Sequence, residues 1–399
     1  MSAMELIPLG DIADLQAGVG FPLDMQGRDS GDYPLAKVGD ISRVARSGET
    51  TIFAADHFVD EADLPRLNAK PIPAGSILFS KIGEAIRQNY RVIAGCPLLI
   101  DNNAMAAIPN ARVESRFLYH FLRTVDFYSL ASATTVPALR KSVLERLPVP
   151  LPPLAEQRRI ADILDKADAL RAKRRAALAQ LDTLTQSIFL DMFGDPATNP
   201  KGWPAMRLGE LIVTGPQNGL YKPAGDYGSG TPILRIDSFY DGEVTDLATL
   251  KRVRVSNEEI ELYRLRPNEI VINRVNSREY LGKSALIPEL SEPIIFESNM
   301  MRLGVDTGRL HPVYLIQLLQ SRHVRAHILG SAKDAVNQSS INQQDVKSIP
   351  VVLPPRSQQE LFARRLQFLR SLTSVHHSSL AKLNMLFSSL QHVAFAGEL

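Results

Sequence analysis

Two stretches of the chain carry apolar residues at alternating spacings near three and four, the pattern typical of a helix that packs along another helix. The first stretch follows Pro152-Pro153 and the second follows Pro354-Pro355, and proline is tolerated in the first turn of a helix. We predict a first helix from about Leu154 to Phe193 and a second that runs nearly to the end of the sequence. Their predicted seams contain Ile160, Leu164, Arg174, Leu178 and Leu181, and Phe362, Leu366, His376, Leu380 and Leu383.

The two helical stretches belong to a longer internal repeat. Residues 202 positions apart align without a gap over 49 pairs, from Leu147 with Ile349 to Asp195 with Gly397, and 15 of these pairs are identical. Chance would give roughly three identities, so the pattern indicates a duplication of one large unit. Each copy of the unit ends in a long helix, and neither helix could bury its apolar stripe alone.

The segment ahead of each helix has the same order of short apolar runs in both halves. Runs entered through polar turns predict strands, and a later run with helical spacing predicts a short helix. These features predict two similar α+β units. The matched segments are 33–41 with 231–239, 72–81 with 265–274, 100–108 with 296–304, and, for the helix, 115–125 with 311–321.

Composition narrows the class of protein. The chain has 399 residues with a net charge of only +2, so any nucleic-acid surface must come from clustered basic residues. Its single cysteine, Cys96, excludes an intrachain disulfide and a cysteine-based zinc site. No apolar run approaches the length of a membrane span, and no basic-then-apolar leader begins the sequence. We expect a soluble, cytoplasmic protein without membrane contact.

Two duplicated motifs resemble a known family. The sequences LPVPLPPLAEQ at 147–157 and IPVVLPPRSQQ at 349–359, together with Ser339-Ser340-Ile341-Asn342, resemble the DNA specificity subunit of type I restriction–modification systems. The resemblance extends over essentially the whole chain. It departs from the family pattern at Pro137–Arg140, and at Gln358, where the family usually has glutamate.

The resemblance implies an architecture. Two target-recognition domains would occupy residues 1–151 and 196–353, and two spacer helices would occupy 152–195 and 354–399. The helices would form an antiparallel coiled coil, and the duplicated halves would be related by a pseudo-two-fold axis. A rod of about 60 Å would then fix the separation of the two domains.

The same resemblance implies a non-catalytic subunit that reads a split, asymmetric site in double-stranded DNA. Its expected partners are two adenine-N6 methyltransferase subunits and, through them, nuclease/translocase subunits. S-adenosylmethionine, ATP and Mg are expected on those partners, and no cofactor or metal on this chain.

Basic and amide residues follow the second predicted strand of each half, and a second polar patch lies nearer each long helix. Arginine and lysine can contact guanine edges, asparagine and glutamine can contact adenine edges, and all can hold phosphates. The alternative for any one of them is an ordinary solvated loop residue. The candidates are Lys81, Arg87, Gln88, Asn89, Arg91, Arg140 and Lys141 in the first half, and Arg274, Asn276, Arg278, Tyr280, Lys283, Asn342 and Gln343 in the second.

The middle of the first long helix is strongly basic, with Arg171, Lys173, Arg174 and Arg175. This run is either a solvated charged face or a stripe that holds DNA phosphates without reading sequence. Arg174 differs from the others because it lies on the predicted seam, where its duplicate is His376. Equivalent residues meet at a pseudo-two-fold axis, so we predict that Arg174 and His376 face each other.

Two other classes of function remain open from the sequence. The chain could be a coiled-coil scaffold whose duplicated domains dock proteins and read no DNA. It could also be an enzyme with an unrecognised site, although the sequence has no phosphate-binding P-loop and no dinucleotide fingerprint.

Overall fold

The computed structural model describes residues 5–336 and 338–399, which form two compact units. One unit contains the chain up to residue 179 together with residues 375–399, and the other contains residues 180–374. Both long helices pass from one unit into the other. Each unit therefore contains one of the duplicated domains with a segment of each long helix.

The first unit is an α+β domain. Its strands are β1 (Leu6–Pro8), β2 (Ala13–Ala17), β3 (Tyr33–Ala36), β4 (Thr51–Ile52), β5 (Phe58–Val59), β6 (Ile77–Ser80), β7 (Val92–Ala94), β8 (Leu99–Ile100), β9 (Ala104–Pro109) and β10 (Pro148–Pro150). Its helices are α1 (Val38–Ser47), α2 (Leu64–Leu67), α3 (Ser115–Thr124), α4 (Phe127–Leu130), α5 (Lys141–Glu145) and the first part of α6 (Leu154–Phe193). The predicted bounds of the first long helix are thus confirmed.

The second unit is built from the same kinds of element. Its strands are β11 (Ala205–Arg207), β12 (Ile212–Asn218), β13 (Tyr227–Leu234), β14 (Phe239–Tyr240), β15 (Gly242–Val244), β16 (Arg252–Val253), β17 (Ile270–Asn273), β18 (Val275–Asn276), β19 (Ser284–Leu286), β20 (Ile295–Phe296), β21 (Met300–Val305), β22 (Lys333–Asp334), β23 (Ser339–Ser340) and β24 (Pro350–Val352). Its helices are the end of α6, α7 (Asn257–Tyr263), α8 (Pro312–Leu319), α9 (Arg322–Ser331), α10 (Gln343–Lys347) and the first part of α11 (Arg356–Ala396), whose remainder belongs to the first unit.

The two units share one sheet topology. The main sheet of the first has the order β2-β9-β6-β7-β4, and that of the second has the order β12-β21-β17-β19-β15, extended by β14. The side sheets β5-β3-β8 and β16-β13-β20 also correspond, and each contains one parallel pair. The duplication predicted from the helices therefore extends through both domains.

One predicted strand is shorter than expected. The apolar run at 33–41 is a strand only to Ala36, because α1 begins at Val38. The Asp40 carboxylate accepts a hydrogen bond from the Lys37 backbone N–H at 2.8 Å, which closes the first turn of the helix. A helix-capping signal therefore outweighs the strand propensity of the run.

A buried glutamine fastens each domain to the start of its long helix. Gln157 Oε1 accepts from the Glu114 N–H at 2.7 Å, and its Nε2 donates to the carbonyls of Arg112 and Pro152. Gln359 repeats this arrangement with the His311 N–H at 2.8 Å and the carbonyls of Arg309 and Pro354. Both glutamines are at most 1% exposed. We refer to this arrangement as the glutamine clamp.

The helix segments inside each unit pack antiparallel. In the first unit, Arg171 Nε donates to Asn384 Oδ1 at 2.8 Å, and Arg159 Nη2 donates to the Leu399 carbonyl at 2.7 Å. Lower numbers on α6 thus meet higher numbers on α11. In the second unit, the rings of Phe189 and Phe193 lie 5.7 and 5.4 Å from the ring of Phe362.

Burial agrees with the predicted seam for most of its residues. Those with little exposure are Ile160, Leu164, Leu178, Leu181, Phe362 and Leu366, whereas Leu380 and Leu383 are partly buried. Arg174 and His376 are also partly buried, and Arg174 Nη1 lies 3.1 Å from Nδ1 of His376. The predicted contact between these two duplicates is confirmed.

Among the helices of the described residues, none combines the length and the apolar character needed to cross a membrane.

The clamp predicts a difference between two neighbouring glutamines. Gln359→Ala leaves the buried His311 N–H and two carbonyls without their partner, so we expect it to lower the free energy of unfolding by about 2–3 kcal/mol. Gln358→Ala, on the less buried neighbour, should change it by less than about 0.5 kcal/mol. Urea denaturation of both variants measures the difference. Equal losses would contradict the clamp.

The Arg174–His376 contact predicts that an apolar seam is more stable. Replacing both residues by leucine should raise the free energy of unfolding by about 1 kcal/mol, because a polar layer in a seam costs stability. Lys173→Leu, on an exposed position beside the seam, is the control and should have little effect. Thermal denaturation checks the prediction, and a lower melting temperature for the double variant would refute it.

Candidate nucleic-acid interface

The two polar stretches of the first half meet on one surface. Residues 81–88 leave β6, and residues 137–141 precede α5. Gly83 N–H donates to the Pro137 carbonyl at 2.8 Å, and Leu139 N–H donates to the Lys81 carbonyl at 2.8 Å. An antiparallel bridge joins Ile82 to Ala138 between them. We call this surface the first polar surface.

The corresponding stretches of the second half meet in the same way. Strand β18 pairs antiparallel with β23, and Ile341 N–H donates to the Arg274 carbonyl at 2.9 Å. Strand β22 then folds back on β23 as a hairpin. We call this the second polar surface. Sequence reasoning identified the four stretches separately, whereas backbone pairing joins them two by two.

Arg87 is the most prominent basic side chain of the first polar surface. It is 62% exposed, its Nε donates to Glu84 Oε2 at 2.9 Å, and its guanidinium lies 4.0 Å from the ring centre of Tyr128. The other candidates differ in exposure. Gln88, Arg140 and Lys141 are exposed, and Lys81 is partly buried.

Arg278 has the corresponding place on the second polar surface. Its Nη1 lies 2.5 Å from Asp334 Oδ2, and both side chains are more than half exposed. The hydrogen bond from Ser339 and the charge of Arg278 lower the pKa of Asp334. Tyr280 and Gln343 are exposed, and Asn276 and Arg274 are partly buried.

Asn342 combines exposure with a structural role. Its Oδ1 accepts from the N–H groups of Gln344 and Asp345 and so caps α10. The capping uses the oxygen of the side-chain amide. The amide nitrogen remains a donor that a ligand could meet.

The exposed ion pairs of Arg87 and Arg278 can exchange partners. Ion pairs in water contribute at most about 1 kcal/mol, because solvent screens both charges. A phosphate or a guanine edge accepts two hydrogen bonds from one guanidinium and can displace the carboxylate. The two arginines are therefore held in position by weak contacts at the surface.

Two candidates of the first half do not belong to the polar surface. Arg91 is 4% exposed and lies against the ring of Phe127 at 3.6 Å, so it cannot read a base edge. The Asn89 amide is also occupied, since it donates to the Val125 carbonyl at 3.0 Å and accepts from Arg91 at 2.8 Å. The prediction that these two side chains contact DNA bases is wrong.

Lys283 is held by contacts within its own domain. Its Nζ donates to the Ile236 carbonyl at 2.6 Å and faces the rings of Tyr240 and Phe239 at 4.0 and 4.8 Å. Burial lowers the pKa of this amine. These contacts tie the ammonium to the fold of the loop, and contact of Lys283 with DNA stays a prediction.

The exposed turn of each polar surface was not among the candidates predicted from the sequence. Val336 lies in the turn of the β22–β23 hairpin and is 99% exposed, and Lys333 beside it is also exposed. The exposed loop of the first polar surface contains residues 133–136. The small and polar residues between the short helix and the next apolar run were an available turn signal.

Within residues 5–336 and 338–399, no group of three histidine, cysteine or acidic side chains is arranged to hold a metal ion.

Comparison with known proteins identifies the family. The model of the type I restriction modification DNA specificity domain matches residues 1–180 and again 200–385. The EcoKI specificity subunit of Escherichia coli K12 is 26% identical over 312 residues, covering 73% of this chain and 67% of that protein. The StySPI specificity subunit of Salmonella potsdam is 24% identical with the same coverage.

Solved structures show the same fold. A chain from a type I restriction–modification complex studied for its assembly and conformational transition has a TM-score of 0.62, at 18% identity, and covers 100% of this chain and 99% of its own length. The S subunit from M. genitalium has a TM-score of 0.58, at 13% identity, with coverage of 99% and 97%. Because the family model matches both halves, the chain belongs to the type I restriction–modification DNA specificity family.

Proposed function

We propose that this chain is the non-catalytic DNA-reading subunit of a type I restriction–modification complex and recognises a bipartite, asymmetric site. The observation that carries the proposal is the pair of polar surfaces, one on each duplicated domain. Each joins an exposed arginine to amide and further basic side chains through backbone pairing. Target-recognition domains at 1–151 and 196–353 and spacer helices at 152–195 and 354–399 form part of this proposal.

The differences between the two surfaces support two different half-sites. The domains share one topology, yet the first surface presents Arg87, Gln88 and Arg140, whereas the second presents Arg278, Gln343 and a hairpin. The pattern of donors and acceptors in the major groove is unique to each base pair, so different side chains on one scaffold select different bases.

Exposed apolar residues on the long helices support docking of methyltransferase subunits. In the second unit Phe368 is 67% exposed, and in the first unit Met385 is equally exposed and Val375 nearly so. Large apolar side chains in water on a helix that already packs on another helix are typical of a protein interface. The methyltransferase subunits would bind S-adenosylmethionine, and nuclease/translocase subunits joined through them would use ATP and Mg.

A pair of matched substitutions tests the DNA-reading proposal. Arg278→Ala should weaken binding to the true site by about 1–3 kcal/mol and relax one position in one half-site, and Arg87→Ala should do the same in the other half. Sequencing of the methylated adenines in cells that carry each variant measures the change.

Arg252 is a suitable control. It lies on β16, outside the polar surface, and forms a similarly exposed ion pair with Glu292. Arg252→Ala should leave the motif unchanged. Arg278→Ala could instead weaken binding to all DNA sequences equally and make the slope of log affinity against log salt shallower by about one. That result would show that this arginine holds a phosphate. Absence of duplex binding even with the partners present would favour the scaffold alternative.

The docking proposal makes a separate prediction. Phe368→Ser should weaken assembly with the cognate methyltransferase subunit by about tenfold or more while the fold is kept, because the ring is exposed in the isolated chain. Val213→Ser, at another exposed apolar residue of the same unit, is the control. Size-exclusion chromatography of the mixed subunits distinguishes them, and equal assembly of both variants would count against this interface.

A further inference from the structure

The first unit contains a basic cleft apart from its polar surface. It has a volume of about 430 Å³ and lies between the loop after α1, the segment before β7, helix α3 and helix α6. Four arginines line it, with two carboxylates, Glu49 and Asp168. The arginines are Arg46, Arg91, Arg123 and Arg175.

The charges around this cleft do not cancel. Asp168 is shared by two guanidiniums, since it lies 2.5 Å from Arg123 Nη1 and 2.6 Å from Arg171 Nη1. With Arg171 included, five positive charges face two carboxylates and the C-terminal end of α1, which counts as about half a negative charge. The cleft is therefore positive by roughly two to three charges.

Arg91 supplies uncompensated charge beneath the cleft. Its guanidinium donates to the Tyr90 carbonyl and to the Asn89 amide oxygen, both at 2.8 Å, and its Nε is buried without a hydrogen-bond partner among the described residues. Burial and, second to it, the nearby Arg123 lower the pKa of Arg91 to about 9. The group still carries its charge at neutral pH, so an anion above it would relieve the repulsion.

Arg171 and Arg175 provide independent signs of this repulsion. Burial lowers the pKa of Arg171, and Arg175 and Arg123 lower it as well, although Asp168 opposes them. Arg175 is exposed and has no ion pair with any residue that the structure describes. A Cβ added at Gly48 would lie 3.9 Å from Arg175 Nη1, so the loop after α1 approaches the helix closely at the rim of the cleft.

The duplicated cleft of the second unit is an internal comparison. It lies beside Lys283, which precedes β19 as Arg91 precedes β7. Gln320 corresponds to Arg123 in position. Arg123 lies nine residues after Glu114 and Gln320 nine residues after His311, and the backbone N–H groups of Glu114 and His311 are the ones that donate to the clamp glutamines. The duplicate of Asp168 is Arg370, which pairs with Glu243 at 2.5 Å. The lining of this second cleft has two cationic and two acidic residues, so the shared fold does not require a basic cleft.

We propose that the basic cleft of the first unit binds a phosphate group, with Arg46 and Arg175 at the rim as direct donors and Arg91 and Arg123 as supporting charge. Phosphate suits the site because it accepts several charge-assisted hydrogen bonds and carries the opposite charge. The phosphate comes either from the DNA backbone or from a free phosphorylated compound. The first source rests on the proposed DNA-reading function, and the second does not.

The test uses the full-length chain with Arg46→Gln and Arg175→Gln combined. Both side chains are exposed, and circular dichroism and the melting temperature without ligand verify the fold. Arg325→Gln is the matched control, because Arg325 lines the duplicated cleft of the second unit. Two probes are applied to each protein: random duplex DNA at several salt concentrations and inorganic pyrophosphate.

If DNA supplies the phosphate, log affinity should fall less steeply with log salt in the double variant, by about one in slope, and the control should keep the wild-type slope. If a free phosphate compound is the ligand, pyrophosphate should raise the melting temperature of the wild type and the control, and its binding should weaken about tenfold or more in the double variant. If the double variant behaves like the wild type and the control with both probes, the proposal that this cleft binds phosphate is overturned. Failure of all proteins to bind DNA would count against DNA reading alone, since the pyrophosphate comparison is independent of it.

Discussion

The glutamine clamp is the constraint on which the rest of the molecule depends. A single buried side chain in each unit closes three hydrogen bonds, to the start of the short helix, to the loop before it and to the start of the long helix. If the amide were removed, the buried backbone groups would have no water to replace it. The loss of folding free energy would then exceed the net contribution of the hydrogen bonds themselves. The clamp therefore fixes the direction in which each long helix leaves its domain.

Charges reinforce this junction in the first unit, and aromatic packing does so in the second. Asp165 on α6 accepts from His120 at 2.7 Å and from Arg116 at 3.0 Å, which links α3 to the long helix. In the second unit, Tyr314 instead stacks on Phe189 and meets Phe193 edge to face. One fold thus tolerates two kinds of junction, because the clamp and the shared sheet already determine the geometry. The differing residues are then free to create local features such as the basic cleft.

The same separation of scaffold and surface explains how recognition can vary. The paired segments of each polar surface are joined by backbone hydrogen bonds, which do not depend on side-chain identity. Their side chains can change without loss of the framework. Weak ion pairs hold Arg87 and Arg278 at the surface until a stronger acceptor arrives, which suits a protein that must test many sequences.

The sequence by itself determined the duplication, the two long helices and the contact of Arg174 with His376, because these follow from periodicity and a constant offset. It also located the polar stretches, since turns and charges are local signals. Tertiary structure decided which of their residues are available. Arg91 has the same composition signal as Arg87 and Arg278, but it is buried against the ring of Phe127, which is distant in sequence. Likewise, only the fold brings Arg46, Arg123 and Arg175 around one cleft, because they lie on three elements separated by dozens of residues.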